Sequence, residues 1–405
     1  MTFGPATRAE GLAHMEAFIP RMGRCYAAGR NYDRGPGQHR DVSGLSPWLR
    51  RRLVTEEEVV MAAIGAHGLE GAEKFVQEVF WRGYFKGWLE RRPSVWAEYR
   101  DGLVRDLAAL ERDGDLQRRV REAESGTTGL GCFDAWVQEL VETGYLHNHA
   151  RMWFASIWIF TLHLPWRIGA DFFYRHLLDG DPASNTLSWR WVAGLHTRGK
   201  YYAARSWNIA KFTGQRFAPG AGELAEVTEG LEQLEPEGLP ELQPLRKARA
   251  PLARVPSLLL VTEEDGRLEE TGLEQVEIFG AVRLAASHLR SPRGVADPVA
   301  EFEAAALSDI ARRTGVMAKP MRAEVPKELV ALAVRLGVRQ VVTAYLPEGP
   351  LRDWLRLVEP LLAAEGIALC EWQREWDLAI WPHATAGFFK VKKQIPRIVA
   401  QRQLL

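Results

Sequence analysis

The sequence predicts a two-part protein, with an all-helical region followed by a doubly wound, parallel α/β domain. Three observations support this. Apolar residues recur at helical spacing before residue 217, the composition changes between Pro219 and Pro256, and apolar runs alternate with amphipathic segments after Ser257. A chain of 405 residues is long enough for two domains that each bury a core. The predicted parts are residues 1–217, a linker at 218–256 and an α/β domain at 257–405.

In the first part, helices begin and end at recognisable signals. Thr55–Gly65 opens with an N-cap threonine and acidic residues in its first turn. Glu73–Glu90 and Phe133–Thr143 carry apolar residues three and four positions apart. Loops with glycine or proline separate the helices, and one of them is Asp179–Pro182.

In the last part, strands and helices are expected to alternate. Short apolar runs suited to buried parallel strands occur at Leu258–Val261, Gln275–Ile278, Gln340–Ala344 and Ile367–Trp372, and amphipathic helices at Pro298–Thr314, Pro326–Leu336 and Pro350–Ala364. Neither GxGxxG nor GxxxxGK[ST] follows any of these strands, so the usual dinucleotide and P-loop sites are not supported.

Composition narrows the class of protein. The formal net charge is zero, so any nucleic-acid surface must be a local patch. The three scattered cysteines make neither a disulfide framework nor a four-cysteine metal site, and no metal ligand set is predicted. The N-terminus lacks the features of a signal peptide. The most apolar run, Met152–Trp166, is shorter than a membrane span. We therefore expect a cytoplasmic protein without a membrane partner.

The stretch from His147 to Trp191 is the most unusual part of the chain. It combines five tryptophans with four histidines, two asparagines and charged residues, which are costly to bury unless they are paired or bound to something. The simplest interpretation is a cofactor pocket lined by helices.

Four clusters of residues carry a family resemblance: NYDRGPGQHRDVSGLSPWL at 31–49, VQEVFWRGYF at 76–85, SGTTGLGCFDAWVQELVETGYLHNHARM at 125–152 and PWRIGADFFYRHLLDGDPASNTLSWRW at 165–191. Together they resemble the flavin-binding domain of the photolyase/cryptochrome family over roughly residues 20–215. The resemblance implies that the helical region is a photolyase-type domain with FAD as its cofactor.

The resemblance also implies a set of cofactor-binding residues. These are Tyr32, Ser43, Leu45 and Ser46 at the FAD phosphates, Arg82 toward the cofactor, Arg151 paired with Asp179 beside the flavin ring, Asp181 of the same DGD motif, and Asn185 facing flavin N5. Hydroxyl groups in a loop that opens onto a helix are suitable donors for a pyrophosphate. Alternatives remain open, since Ser46 could simply cap the helix that starts at Pro47, and a buried Arg–Asp pair can be purely structural.

The lesion-binding and electron-relay residues follow from the same resemblance. Glu78 and Asn148 would hydrogen-bond an extruded lesion, Trp81 and Trp191 would stack on it, Met152 completes the motif around Asn148, and Trp189 and Trp166 would begin an electron relay. Each tryptophan could instead belong to the core. Arg24, Arg50, Arg51 and Arg52 are candidates for DNA phosphate contacts, with a solvated surface as the alternative.

The chain also departs from the family pattern. His149 replaces an arginine, Gly131 a proline, Ala123 a tryptophan and Val42 a threonine, and the third relay tryptophan has no evident counterpart. Family members place the α/β antenna domain first, whereas here an antenna-like domain at 257–405 follows the helical one. We therefore expect a circular permutation with 218–256 as the new join.

The function implied is light-driven electron transfer from reduced flavin to split pyrimidine dimers in damaged DNA, as in a deoxyribodipyrimidine photo-lyase. The alternatives are a cryptochrome-like blue-light photoreceptor and a flavoprotein without repair activity. A second, antenna chromophore would be consistent with the family, but the α/β half shows no legible motif for one.

Overall fold

The computed structural model describes residues 3–402 and confirms the predicted fold class of helices plus a parallel α/β domain. Twelve α-helices precede the first strand in the described chain: α1 (Arg8–Phe18), α2 (Arg24–Gly29), α3 (Ser46–Arg50), α4 (Glu56–Gly71), α5 (Glu73–Glu90), α6 (Pro93–Leu110), α7 (Gly114–Ser125), α8 (Gly131–Thr143), α9 (Asn148–Ser156), α10 (Trp166–His176), α11 (Pro182–Val192) and α12 (Ser206–Phe212). A π-helical turn, Ile157–Thr161, extends α9. As predicted, Thr55 caps α4, in a reciprocal capping box with Glu58.

The α/β part contains a five-stranded sheet in which all strand pairs are parallel. The strands are β1 (Pro256–Val261), β2 (Glu277–Ala285), β3 (Ala318–Arg322), β4 (Gln340–Ala344) and β5 (Ala368–Trp372), in the spatial order β3-β2-β1-β4-β5. Helices α13 (Asp297–Thr314), α14 (Pro326–Arg335) and α15 (Pro350–Ala364) connect them, and α16 (Glu375–Ile380), α17 (Phe389–Lys392) and α18 (Ile395–Gln401) follow β5. This strand order reverses direction at β1, as a doubly wound sheet requires.

Spatial contacts divide the chain into two units that interleave along the sequence. The first unit comprises Arg21–Gly44 and Arg92–Leu242 together with Phe3, and it holds α2 and α6–α12. The second comprises Gly4–Pro20, Leu45–Arg91 and the chain from Gln243 onward, so it holds the sheet and also α1 and α3–α5. The predicted boundaries at 217 and 257 stay predictions, because spatial grouping does not establish which segments fold independently.

The segment predicted as a linker has little regular structure but is anchored. Within 218–256, the only helical turn before β1 is the 3₁₀ turn Glu232–Leu234. In the first unit, the Arg190 guanidinium pairs with both oxygens of Glu235, and the Ala225 amide donates to Thr161 Oγ1 at 3.2 Å.

No helix within residues 3–402 is long and apolar enough to cross a bilayer.

Candidate flavin and DNA site

In the first unit, Arg151 is held beside Asp179 as predicted. His147 caps α9, and Arg151 lies one turn into the helix. Its Nε donates to Leu146 O at 2.8 Å and its Nη2 to Asp179 Oδ2 at 2.9 Å. Asp179 is 8% exposed, so the pair is largely shielded from water. Two hydrogen bonds from different nitrogens fix the plane of the guanidinium.

Asp181 and Asn185 are positioned by the start of α11. Asp181 is the N-cap residue, and its carboxylate accepts from the Ser184 amide at 2.8 Å. Asn185 lies one turn further on, where its Nδ2 donates to Ala170 O at 2.8 Å and so fixes the orientation of the amide. The structure therefore brings Arg151, Asp179, Asp181 and Asn185 into one unit, on α9, α11 and the loop before α11.

The loop predicted to hold the FAD phosphates crosses from one unit to the other. Tyr32 and Ser43 belong to the first unit, where the Tyr32 ring lies 5.3 Å from the Phe212 ring. Leu45 and Ser46 belong to the second, where Leu45 is fully buried. The N-cap position of α3 is occupied by Leu45, and no side chain caps this helix. The simple capping role considered for Ser46 is therefore wrong.

In the second unit, α5 carries Glu78, Trp81 and Arg82. Glu78 is partly exposed. One face of the Trp81 indole stacks on Phe388, with ring centroids 4.1 Å apart and planes inclined by 14°. Nη1 of Arg82 is buried and has no hydrogen-bond partner among residues 3–402. A buried guanidinium nitrogen without an acceptor is costly unless an anionic group satisfies it.

The polar residues of each unit, taken separately, have the chemistry that FAD requires. In the second unit, Arg82 offers a buried donor without a partner among residues 3–402, as an anionic group would require. The Arg151–Asp179 pair and the fixed amide of Asn185 offer charged and polar groups of the kind that a flavin ring needs at its ionisable N1 and its N3–H.

Trp189 and Trp166, the predicted relay residues, are both 2% exposed, and neither indole N–H has a partner within the described chain. Trp189 lies 6.4 Å from Trp158, ring centre to ring centre. Beyond Trp166 the aromatic row continues to Tyr99 at 5.9 Å and then to Trp96 at 5.4 Å. Sequence reasoning missed both residues of α6, although their three-residue spacing places them on one face of that helix.

His149, the main departure from the family pattern, has a polar neighbour at each ring nitrogen. Its ring stacks on Trp153 at 4.1 Å, Nδ1 lies 2.9 Å from Asn31 O, and Nε2 lies 3.3 Å from the Tyr202 hydroxyl. Burial lowers the pKa of His149, so the imidazole is neutral near pH 7. Tyr202 in turn stacks on Trp191 at 5.6 Å and covers part of the ring that was predicted to meet the lesion.

A cavity of about 310 Å³ opens next to this cluster in the first unit. It is lined by Tyr201, Tyr202, Ala203, Arg205, Trp207 and Asn208. Trp207 is 63% exposed, whereas Asn208 is held by a 2.9 Å hydrogen bond from Trp153 Nε1. Sequence reasoning missed this cavity, although the aromatic residues that flank Arg205, starting ten positions after the WRW motif, were a readable signal of a base-binding surface.

The arginine run before α4 is buried against carboxylates. In the second unit, Arg50 pairs bidentately with Glu264 at 2.7 and 3.0 Å, Arg51 lies 2.9 Å from Glu263, and Arg52 pairs with Asp377 at 2.6 and 2.8 Å. All three arginines are at most 6% exposed, so both the phosphate-contact prediction and its solvated alternative are wrong for them. Arg24 is exposed and remains a candidate.

Comparison with known proteins finds similarity over part of this chain. Residues 75–221 match the family model described as the FAD binding domain of DNA photolyase. The deoxyribodipyrimidine photo-lyase of Streptomyces griseus is 38% identical over 165 residues, which is 39% of this chain and 34% of that protein. The chloroplastic/mitochondrial cryptochrome DASH of Ostreococcus tauri is 33% identical over 195 residues, which is 45% of this chain and 34% of that protein.

Among solved structures, a bacterial class III photolyase from Agrobacterium tumefaciens aligns with a TM-score of 0.41 and 26% identity, over 51% of this chain and 43% of that one. The chain spans about a third of the length of the two curated relatives above.

Residues 75–221 thus match a flavoprotein domain of the photolyase type. The predicted resemblance to the photolyase/cryptochrome family and FAD as the cofactor are both confirmed. The antenna-like nature of residues 257–405, a second chromophore and the permuted domain order stay predictions.

Proposed function

We propose that the protein is a light-driven, FAD-dependent enzyme of the photolyase type that splits pyrimidine dimers in damaged DNA. The observation that carries this proposal is the constellation of Arg151, Asp179, Asp181 and Asn185 within the segment that matches the photolyase FAD domain. Reduced FAD, when bound, supplies the excited-state electron that splits the dimer.

The protein's own contribution is to bind and orient the cofactor. Arg151 and Asp179 would fix the position of the flavin ring, because each is already held by other hydrogen bonds or by burial. Asn185 would present its amide in one orientation, set by its bond to Ala170. In the second unit, Arg82 would satisfy its buried Nη1 on an anionic part of the cofactor.

The DNA-binding part of the proposal rests on the cavity beside His149. An extruded base needs aromatic faces to stack on and polar groups at its edge. The cavity offers Trp207 and two tyrosines, with Arg205 exposed at its rim for a phosphate. Asn148 is exposed at the start of α9, and Met152 lies one turn further along. We keep Glu78, Trp81, Asn148, Met152 and Trp191 as the proposed lesion-contacting residues.

The test is to illuminate the full chain, loaded with FAD and chemically reduced, with an oligonucleotide that contains a cyclobutane pyrimidine dimer. Repair restores the base absorbance that dimer formation removed, and a dark sample is the control. We expect recovery in the light only. If the absorbance does not recover while the bound flavin stays reduced, the repair proposal is wrong.

The second candidate is a cryptochrome-like photoreceptor without repair activity. The neutral His149 in place of an arginine favours it, because a neutral imidazole provides no fixed positive charge for a lesion phosphate. Illumination would then change the flavin spectrum without repairing the dimer.

We also propose a cytoplasmic location, since all three cysteines are free, as expected in a reducing compartment.

A further inference from the structure

A buried polar cluster in the first unit has no role in the proposed function. It consists of Asp33 and His39, on the segment between α2 and α3, and of Glu139 on α8; we call it the 33/39/139 cluster. Asp33 is 0%, His39 2% and Glu139 1% exposed. One potential ligand atom from each residue lies within 4.8 Å of the other two.

Hydrogen bonding within the described chain leaves the cluster incompletely satisfied. His39 Nε2 and Glu139 Oε1 are 2.5 Å apart, but His39 Nδ1 is 3.9 Å from Asp33 Oδ1, which is too far for a hydrogen bond. Nδ1 of His39 and Oε2 of Glu139 are both buried and have no partner within residues 3–402. Native proteins rarely leave two such atoms unsatisfied at one place.

The charges of the cluster are also unbalanced. Asp33 Oδ2 accepts from Arg216 Nη2 at 2.6 Å and from Trp136 Nε1 at 3.0 Å, so one guanidinium offsets one of the two carboxylates. The remaining negative charge calls for a cation, which could be a proton on His39 or a metal ion. A proton on Nδ1 would point into the 3.9 Å gap to Asp33 and would leave Glu139 Oε2 unsatisfied. A metal ion in place of the proton shared by His39 Nε2 and Glu139 can be coordinated by Oε2 of Glu139 as well, and each of the three residues offers a ligand atom within 4.8 Å of the other two.

We propose that the 33/39/139 cluster binds one divalent transition-metal cation, with Zn²⁺ as the best match. One imidazole nitrogen and two carboxylate oxygens form a donor set that suits Zn²⁺ and Mn²⁺. Zn–N and Zn–O bonds of about 2.0–2.2 Å place tetrahedral ligand atoms roughly 3.3 Å apart, so His39 Nε2 and Glu139 Oε1, which are 2.5 Å apart, would separate by roughly 0.8 Å to admit the ion. His147, whose ring stacks on His39 at 5.6 Å and whose Nε2 also lacks a partner in the described chain, is available for a fourth position.

Such an ion would tie the segment after α2 to α8. That segment carries Tyr32 and Ser43, so the site would anchor a loop of the first unit without taking part in any reaction. The inference does not depend on the proposed function, because none of the three ligands belongs to the proposed flavin or lesion set.

The experiment measures metal binding by the full chain and by matched variants. Protein stripped with a chelator is dialysed against Zn²⁺ and, separately, Mn²⁺, and the bound metal is counted by plasma mass spectrometry, with thermal unfolding as a second readout. We expect one equivalent of Zn²⁺ and a higher unfolding midpoint for the unaltered protein. His39→Gln and Glu139→Gln should each weaken Zn²⁺ binding by about tenfold or more.

The control is His163→Asn, which removes an exposed histidine of the same unit at a left-handed backbone position (φ 50°) that asparagine tolerates. It should bind Zn²⁺ as the unaltered protein does. Glu139→Gln preserves the side-chain shape and a hydrogen bond to His39, which guards against a variant that fails to fold. The proposal is overturned if the unaltered, folded protein retains no metal, or if Zn²⁺ binding is the same in both cluster variants as in the control.

Discussion

Replacing Trp207 with alanine tests whether the cavity of the first unit takes a base. Because this ring is 63% exposed, its removal should change the free energy of unfolding by only about 0.5 kcal/mol. Stacking of an aromatic side chain on a base contributes about 1–3 kcal/mol. We therefore expect the dissociation constant for dimer-containing DNA to rise about 5- to 150-fold, with folding and flavin content unchanged.

The assay is fluorescence anisotropy in the dark, with matched dimer-containing and undamaged oligonucleotides at one fixed salt concentration. Leu357→Ala is the matched control, since Leu357 is 60% exposed on α15 of the second unit and does not line the cavity. Trp191→Ala should weaken binding too, but it also removes the partner on which Tyr202 stacks. An unchanged ratio of damaged to undamaged affinity in the Trp207 variant would refute the base-binding role of the cavity.

Three further predictions concern the flavin, the relay and the pH dependence of stability. Arg151→Gln breaks the ion pair with Asp179. If the loss of this pair weakens FAD binding by about 3 kcal/mol, the FAD affinity should fall roughly 100-fold. Unchanged flavin retention on gel filtration would contradict this. Trp166→Phe should slow light-driven flavin reduction more than Tyr99→Phe does. The rate is measured as the loss of flavin absorbance under illumination with an electron donor present. Equal rates in the unaltered protein and both variants would exclude electron transfer through Trp166 and Tyr99. Burial, reinforced by Glu348, raises the pKa of Glu90 from 4.5 to about 7, so the folded state binds the proton more tightly than the unfolded state and stability falls as pH rises from about 4.5 to 7. In denaturant titrations, the stability of the unaltered protein should fall relative to that of Glu90→Gln by about 3 kcal/mol between pH 4.5 and pH values above 7, because the other titrating groups are common to both proteins.

The regular elements were predictable because their signals are local. Glu73–Glu90, Gln340–Ala344 and Pro350–Ala364 have in the structure the bounds that periodicity and proline positions predicted. Strand β3 was missed because its sequence, AKPMR, contains no apolar run, and a strand at the sheet edge that is largely exposed needs none. Strand β2 was found only at its start, since Gly280 interrupts the apolar pattern.

The site was predictable only where the family motifs describe it. Arg151 and Asp179 lie 28 positions apart in the sequence, and only the motif resemblance indicated that they pair. The burial of Arg50 and Arg52 could not be predicted, because Glu264 and Asp377 are more than 200 residues away. A run of charged residues ordinarily indicates a solvated surface. Here carboxylates that are distant in the sequence pair with the arginines and offset the cost of burying them.

Helix α5 shows why a resemblance at the motif level can be incomplete. Gly83 and Gly87 lie on one face of the helix, where a Cβ on Gly87 would come within 2.8 Å of the Trp381 Cα. The chain after β5 therefore packs directly on this helix, and Tyr84 donates its hydroxyl hydrogen to Ala386 O at 2.8 Å.

The same packing places Phe388 on Trp81, so one face of the predicted lesion-stacking ring is already occupied by the protein itself. A base could use only the opposite face, or Phe388 would have to move. The hydrogen bonds that hold Arg151, Asp179 and Asn185 involve no residue of the segment after β5. Phe388→Ala should therefore alter lesion binding while leaving these three residues, and the flavin affinity that depends on them, unchanged.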